Sequence, residues 1–354
     1  MNCYDNNNVH DYEINFNDSN YYEKFESSKI GFNNFGKSCY INSFLQILFH
    51  CPEFLNKLKK YHYHNNDNNN SLIKSLINLS NFPHNKEYLK SIIYFMKKNS
   101  HHYDLLIKDD SQDFGIDLIN DIISEMRRED KSFEQNENEN ENKNEKKSNL
   151  DKNVEYLKYI NNYQKNQTPI EEMFILNESE TISKSKVFKE IKFNTSPNIE
   201  LVFPDYYYNR EYSLKNLLDY KYNNTDNYNK NNNNNCLKVI QKICKLPKIL
   251  IITIVRSIIG KNSLINFPLN FPEELYLDPY IDKVLTNPSK NIKYNLFAIN
   301  EKSGYFKENG HYYCYIKINN NEWNLFNDKF VSNEYYPSFK SNTNVVGLFY
   351  IKSN

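Results

Sequence analysis

Apolar positions change their rhythm along the chain, from helical spacing in the first half to strand-like alternation toward the end. In GFNNFGKSCYINSFLQILFHCP, Ile41, Phe44, Leu45, Leu48 and Phe49 share one helical face and Pro52 supplies a stop, which predicts an amphipathic helix opening at Cys39. SLIKSLINL pairs Leu72 and Ile73 with Leu76 and Ile77, and EYLKSIIYFM repeats apolar residues at the same spacing. DSQDFGIDLINDIISEM sets Phe114, Leu118, Ile122 and Met126 every four residues. These segments predict helices packed around the one that starts at Cys39. KILIITIV, KYNLFAI, GHYYCYIKI, EWNLF and NVVGLFYIK are instead rich in β-branched and aromatic residues, with NNN and NG turns between several of them, and predict an antiparallel sheet. Helices followed by strands imply an α+β fold with a cleft between a helical lobe and a sheet lobe.

Three polar stretches interrupt this pattern, at 64–70, 129–153 and 222–235. None carries enough apolar surface to offset its ordering entropy, so they are expected to be loops or disordered inserts. The 354 residues carry 44 basic and 44 acidic side chains, so no net field argues for nucleic acid or an anionic membrane as a partner. Six cysteines, Cys3, Cys39, Cys51, Cys236, Cys244 and Cys314, contain no CxxC pair. That spacing argues against a zinc ribbon or a disulfide framework and fits a reducing compartment. The opening MNCYDNNNVHDYEINF has no charged-then-apolar signal pattern, and the apolar run Ile249–Val255 is far too short to span a bilayer. A soluble intracellular protein, cytoplasmic or nuclear, is the expectation.

Candidate chemistry begins with Cys39. Unpaired N–H groups and the positive end of the dipole at a helix start stabilise a thiolate, and can lower a cysteine pKa from about 8.5 to roughly 3.5–7.5. An arbitrary cysteine is more often a small buried side chain, so the assignment depends on a base elsewhere. Seven of the eight histidines lie in polar or loop-like surroundings or, like His50, end the first helix where a cation suits the dipole. His311 differs. It opens the strand GHYYCYIKI directly after Asn309 and Gly310, a turn that allows close backbone approach. A hairpin through Asn319, Asn320 and Asn321 would return the end of EWNLFND, with Asn327 and Asp328, to the side of His311. A thiol, an imidazole and a group that orients the imidazole are the parts of a cysteine protease.

These blocks resemble the ubiquitin-specific proteases, papain-like deubiquitinating enzymes with helical thumb, antiparallel-sheet palm and fingers. GFNNFGKSCYINSFLQILFHCPEF is similar to the family's cysteine box and DSQDFGIDLINDI to its second helix. LPKILIITIVR and NFPLNFPEELYLDPY are similar to its palm strands, NLFAINEKSGYFKENGHYYCYIKINNNEWNLFNDKFVS to its histidine box and NVVGLFYIK to its closing strand. The resemblance implies Cys39 as nucleophile, His311 as general base and acid, Asn327 as the residue orienting His311, Asp328 as a possible auxiliary and Asn34 as the oxyanion donor. It implies ubiquitin and ubiquitinated proteins as partners, hydrolysis after the C-terminal Gly-Gly of ubiquitin, and no cofactor or catalytic metal. Its domain plan is an N-terminal extension over 1–28, thumb over about 29–128, an insert over about 129–165, fingers over about 166–245 and palm over about 246–354.

The chain departs from the family pattern at several points. Lys37 and Ser38 replace the usual Asn-Thr before the cysteine, Ser38 keeping a hydroxyl that could cap the helix and Lys37 adding a cation near the thiolate. Gly115 stands for a usual leucine, Ser257 for a phenylalanine after Arg256, and isolated Cys236 and Cys244 for the two zinc-binding CxxC pairs, which implies reduced, zinc-free fingers. The competing readings are the same chemistry on another ubiquitin-like modifier, or a catalytically silent ubiquitin-binding scaffold.

Overall fold

The computed structural model describes residues 30–64, 71–99, 101–129, 167–183, 189–204, 210–223, 238–258, 260–283, 292–307, 309–319, 322–333 and 337–353. The extension 1–28 and most of the three polar stretches lie outside these residues; of the last stretch, Tyr222 and Asn223 are helical rather than loop. The apolar spacing of the first half becomes α1 (Cys39–His50), α2 (Phe54–His64), α3 (Leu72–Asn81), α4 (Lys86–Lys98) and α5 (Ser111–Glu129). Their starts are satisfied locally. Ser71 Oγ accepts from the Lys74 N–H and Asn85 Oδ1 from the Glu87 N–H, while the Glu125 carboxylate of α5 takes the orphan N–H groups of Leu72 and Ile73 at 2.9 and 3.0 Å.

After α6 (Pro169–Phe174), which opens with a Thr168–Glu171 capping box, the chain enters β structure. Strands β1 (Leu176–Ser183), β2 (Lys189–Ser196) and β5 (Lys238–Lys245) form a three-stranded antiparallel sheet in the order β2-β1-β5, where fingers were expected. Cys244 is buried in β5, and Cys236 lies outside the described residues. The main sheet runs β12 (Phe330–Ser332), β11 (Glu322–Asn327), β10 (His311–Asn319), β9 (Lys293–Ser303), β13 (Val345–Lys352), β6 (Ile249–Val255) and β3 (Asn198–Val202), with β8 (Glu274–Tyr276) also on β9. A short parallel pair, β4 (Tyr212–Ser213) with β7 (Leu269–Asn270), and α7 (Leu214–Asn223) complete the second half.

The five strands expected to form an antiparallel sheet, β6, β9, β10, β11 and β13, do so; β3, from the region before them, joins the sheet parallel to β6, Asn198 opposite Ile251. The long connection through α7 and β5 supplies the crossover that parallel neighbours require. β6 is apolar at every position but Thr253 because both its faces are covered: Ile249 and Ile251 enter the core shared with the helices, Leu250, Ile252 and Ile254 the core shared with α7. β10 alternates instead. Tyr312, Cys314, Ile316 and Ile318 are buried, while His311, Tyr313, Tyr315 and Lys317 stay half-buried on the opposite face.

Two departures from the family pattern acquire a physical account. Arg256 is buried, with its guanidinium donating to the carbonyls of Val345, Ile265, Phe267 and Asn342, and lies 5.2 Å from the centre of the Phe203 ring. Ser257 is exposed, so no core contact there needs an aromatic ring. Gly115 makes room for Phe44 of α1: a Cβ at Gly115 would stand 2.1 Å from that ring. Helix propensity alone would favour alanine at Gly115 by about 1 kcal/mol, whereas overpacking costs roughly 1–3 kcal/mol. Gly115→Ala is therefore expected to destabilise the protein in urea titrations. In a Phe44→Leu background, where the clashing ring atoms are gone, the same change should become neutral or stabilising.

Candidate active site

Cys39 reaches its position through the turn before α1. The Asn34 side-chain oxygen accepts from the N–H groups of Gly36 (3.1 Å) and Ser38 (3.3 Å), and Lys37 N–H donates to Leu105 O at 2.7 Å. Gly36 sits at φ 129 with the Leu105 carbonyl close by, so a side chain there would be strained. The expected hydroxyl cap is absent. Ser38 has ψ 6 rather than an extended backbone, and its Oγ accepts from the Phe35 N–H at 3.0 Å instead of from the helix.

His311 is delivered from the other lobe. Gly310, at φ 111, approaches so closely that a Cβ would stand 1.9 Å from Ser303 O. The turn Asn309–Gly310 thus gives the close approach expected from the sequence. His311 and the buried Cys39 are hydrogen-bonded, and Tyr312 N–H also donates to the sulfur. His311 Nε2 lies 2.6 Å from Asn327 Oδ1. Because that oxygen can only accept, Nε2 carries the proton and Nδ1 is the nitrogen left for the thiol.

Asp328 and Asn34 hold positions that the sequence only partly indicates. Asp328 Oδ2 stands 3.8 Å from His311 Nε2, beyond hydrogen-bond reach. Its carboxylate accepts from Asn34 Nδ2 (2.9 Å) and Asn42 Nδ2 (2.8 Å), so it acts on His311 as a nearby charge and on the cysteine turn as an anchor. Asp328 adopts φ 52, and Gly31 packs so tightly on its carbonyl that a Cβ would come within 2.1 Å. The Asn34 amide is fixed at both ends, and among the described residues its second amide hydrogen has no acceptor. A groove of about 530 Å³ adjoins these groups, lined by Asn33, Asn34, Phe35, Asn327, Asp328, Lys329 and Phe330.

The electrostatics favour a charged pair. Burial pushes the Cys39 thiol up, but the His311 hydrogen bond, the Tyr312 amide and the charges of Lys108 and His311 outweigh it and leave the thiol below its ordinary value. His311 moves the other way: its hydrogen bond to Cys39 raises it, burial opposes, and Asn327 with the charges of Cys39 and Asp328 adds to the rise. Lys302 is coupled to Cys39 as well, and the lysine that bears most on the thiol is Lys108, where the sequence drew attention to Lys37. Its only signal in the sequence was a place just ahead of the DSQDF box.

Three of the remaining histidines, His50, His101 and His102, are engaged elsewhere. His50 is buried with Nδ1 on Gln46 O at 2.8 Å, closing the end of α1. His101 lies between Asp117 and Asp121 at 3.2 and 3.3 Å, and His102 pairs with Asp109 at 2.7 Å, more specific contacts than solvated loop positions.

The family model for ubiquitin carboxyl-terminal hydrolases matches residues 30–350. The chain belongs to this family. Among similar proteins, ubiquitin carboxyl-terminal hydrolase 25 of Arabidopsis thaliana is 32% identical over 136 residues, 36% of this chain and 20% of that protein. Ubiquitin carboxyl-terminal hydrolase 42 of Homo sapiens is 37% identical over 86 residues, 24% of this chain and 6% of that protein. The matched segments therefore span a fifth or less of these two relatives. In fold the chain is similar to the Ubp8-Sgf11-Sgf73-Sus1 SAGA DUB module, with TM-score 0.68, 19% identity, and coverage of 92% of this chain and 68% of that one. The same module bound to monoubiquitin gives TM-score 0.67 at 18% identity. The papain-like fold of ubiquitin-specific proteases expected from the sequence is the fold of this chain.

Within this family member the Asp328 anchor is directly testable. Asp328→Ala strips an acceptor from two asparagine amides, one on the buried Asn42, and is expected to lower unfolding free energy in urea by about 1–3 kcal/mol. Asp328→Asn, which keeps one acceptor oxygen and tolerates φ 52, should lose less.

Proposed function

We propose that the chain is a cysteine-type deubiquitinase that hydrolyses the isopeptide or peptide bond after the C-terminal Gly-Gly of ubiquitin. The observation that carries this reading is the hydrogen-bonded order Cys39, His311, Asn327, with the thiol lowered and the imidazole raised. Family membership supports ubiquitin as the modifier, as does the bound monoubiquitin in a module of similar fold.

In the reading, Cys39 attacks the scissile carbonyl as thiolate, forming a C–S bond and a tetrahedral oxyanion. Asn34 Nδ2 and the Cys39 backbone N–H, which has no partner one turn earlier in α1, donate to that oxyanion. Collapse breaks the C–N bond, and the His311 imidazolium protonates the departing lysine amine. A water molecule then gives a proton to neutral His311 and its oxygen to the thioester carbon. Breakage of the C–S bond releases ubiquitin with a free carboxylate and restores the thiolate–imidazolium pair. Asn327 keeps Nε2 protonated throughout, so that Nδ1 faces the chemistry.

The test is turnover of ubiquitin carrying a C-terminal fluorogenic amide. Cys39→Ala should abolish it, and retained cleavage would end the assignment. Asn34→Ala should lower kcat by about 10²–10³ with little change in KM, the usual effect of losing one oxyanion donor. The pH profile of kcat/KM should be a bell. Activity rises as Cys39 deprotonates, below the range of a free thiol because its pKa is lowered, and falls as His311 loses its proton, above the ordinary histidine value because its pKa is raised.

A further inference from the structure

The groove of about 530 Å³ beside the cysteine turn begins at the reacting groups. Asn34 and Asn327, which holds the proton-bearing nitrogen of His311, both line it. Its lining continues to Phe35 on the helical lobe and to Lys329 and Phe330 where β12 starts. The Phe330 ring is 67% exposed, a large apolar surface left open next to the site. Each aromatic carries a cation: the Lys86 ammonium of α4 lies 5.4 Å from the centre of the Phe35 ring, and that of Lys329 lies 5.1 Å from the centre of the Phe330 ring. The carboxylate in the lining, Asp328, is occupied by the Asn34 and Asn42 amides, whereas among the described residues no carboxylate pairs with Lys86 or Lys329. What the groove leaves open is therefore aromatic and cationic.

We propose that this groove is the leaving-group subsite, and that it takes a short acidic segment of the modified protein around the lysine being released. The proposal rests on the deubiquitinase reading and adds a substrate class to it. Two sides of the scissile bond need room. The acyl side ends in Gly-Gly, which has no side chains to fill a groove of about 530 Å³ bordered by two phenylalanines. The leaving side is a lysine, whose tetramethylene stem suits an open aromatic ring, together with the chain that bears it. A groove of this volume holds a few extended residues rather than the face of a folded domain. Phe330 receives the lysine stem, and Lys329 and Lys86 receive the flanking carboxylates, which sets the charge of the preferred segment.

The experiment compares two substrates of the full chain: ubiquitin carrying a C-terminal fluorogenic amide, whose leaving group is small, and ubiquitin joined through an isopeptide bond to the lysine of a labelled acidic peptide. A third conjugate replaces the peptide carboxylates by amides. Wild type is expected to cleave the acidic conjugate faster than the amide one, by a margin that shrinks with added salt. On the acidic conjugate Phe330→Ala should lower kcat/KM roughly tenfold, mostly through KM, from lost burial of the lysine stem. Lys329→Gln should lower it roughly threefold, in the range of an exposed ion pair, and Lys329→Arg should keep it. Both Phe330→Ala and Lys329→Gln should leave the fluorogenic amide within about twofold of wild type, a split that misfolding would not produce. Equal losses on both substrates would place the ubiquitin tail in the groove and overturn the proposal, as would unchanged cleavage of the acidic conjugate or no preference for acidic over amide peptide. Wild-type protein that turned over neither ubiquitin substrate would instead overturn the deubiquitinase reading and this subsite with it.

Discussion

Helix α1 has no solvent face. All twelve of its residues, Cys39 to His50, are buried, although only one stripe of them is apolar. A helix enclosed in this way must find internal partners for its polar side chains or lose stability for each one left unpaired. Most of those partners come from the helical lobe, and one, Asp328, joins it to the sheet. Asn42 donates to Asn33 O and to the Asp328 carboxylate, Ser43 meets Ser111 at the start of α5, Gln46 donates to Ile30 O, and His50 turns onto Gln46 O.

The site follows from that enclosure. The same carboxylate that takes the Asn42 amide takes the Asn34 amide, so docking α1 also sets the turn that carries Cys39. Because Asp328 directly follows Asn327, the anchor for the cysteine lobe and the hydrogen-bond partner of His311 are consecutive residues on one strand end. Spacing between thiol and imidazole is therefore governed by one short turn, braced by Gly31 on the Asp328 carbonyl and by Gly310 on Ser303. Reacting groups gain most when positioning of this kind is settled before substrate arrives.

Much of this could be read from residue order. Helical spacing located α1 and α5 because their apolar faces are long and regular, and the turn at Asn309–Gly310 with the pairing of β10 and β11 brings His311 to Asn327 as expected. What escaped detection was tertiary. The polar stripe of α1 has the pattern of a solvated face, and only packing makes Asn42 and Gln46 internal. Ser38 has the composition of a cap, yet its backbone angles send the hydroxyl elsewhere. Asp328 was indicated as an auxiliary to His311, whereas its closest partners are 294 and 286 residues away in sequence. Lys108 carries no local pattern at all, since its place over the Tyr312 ring is set by tertiary packing. Parallel pairing of β3 with β6 likewise depends on a distant crossover rather than on local alternation.

The central claim is that two lobes closed around α1 present Cys39 as a nucleophile to the C-terminus of ubiquitin. Reaction with ubiquitin bearing a C-terminal electrophile, run beside probes made from other ubiquitin-like modifiers and followed by peptide mapping, tests it most directly. A single ubiquitin adduct on Cys39, lost when His311 is replaced by alanine, is the expected result. An adduct on another residue, labelling by a different modifier alone, or ubiquitin binding with no adduct would contradict it.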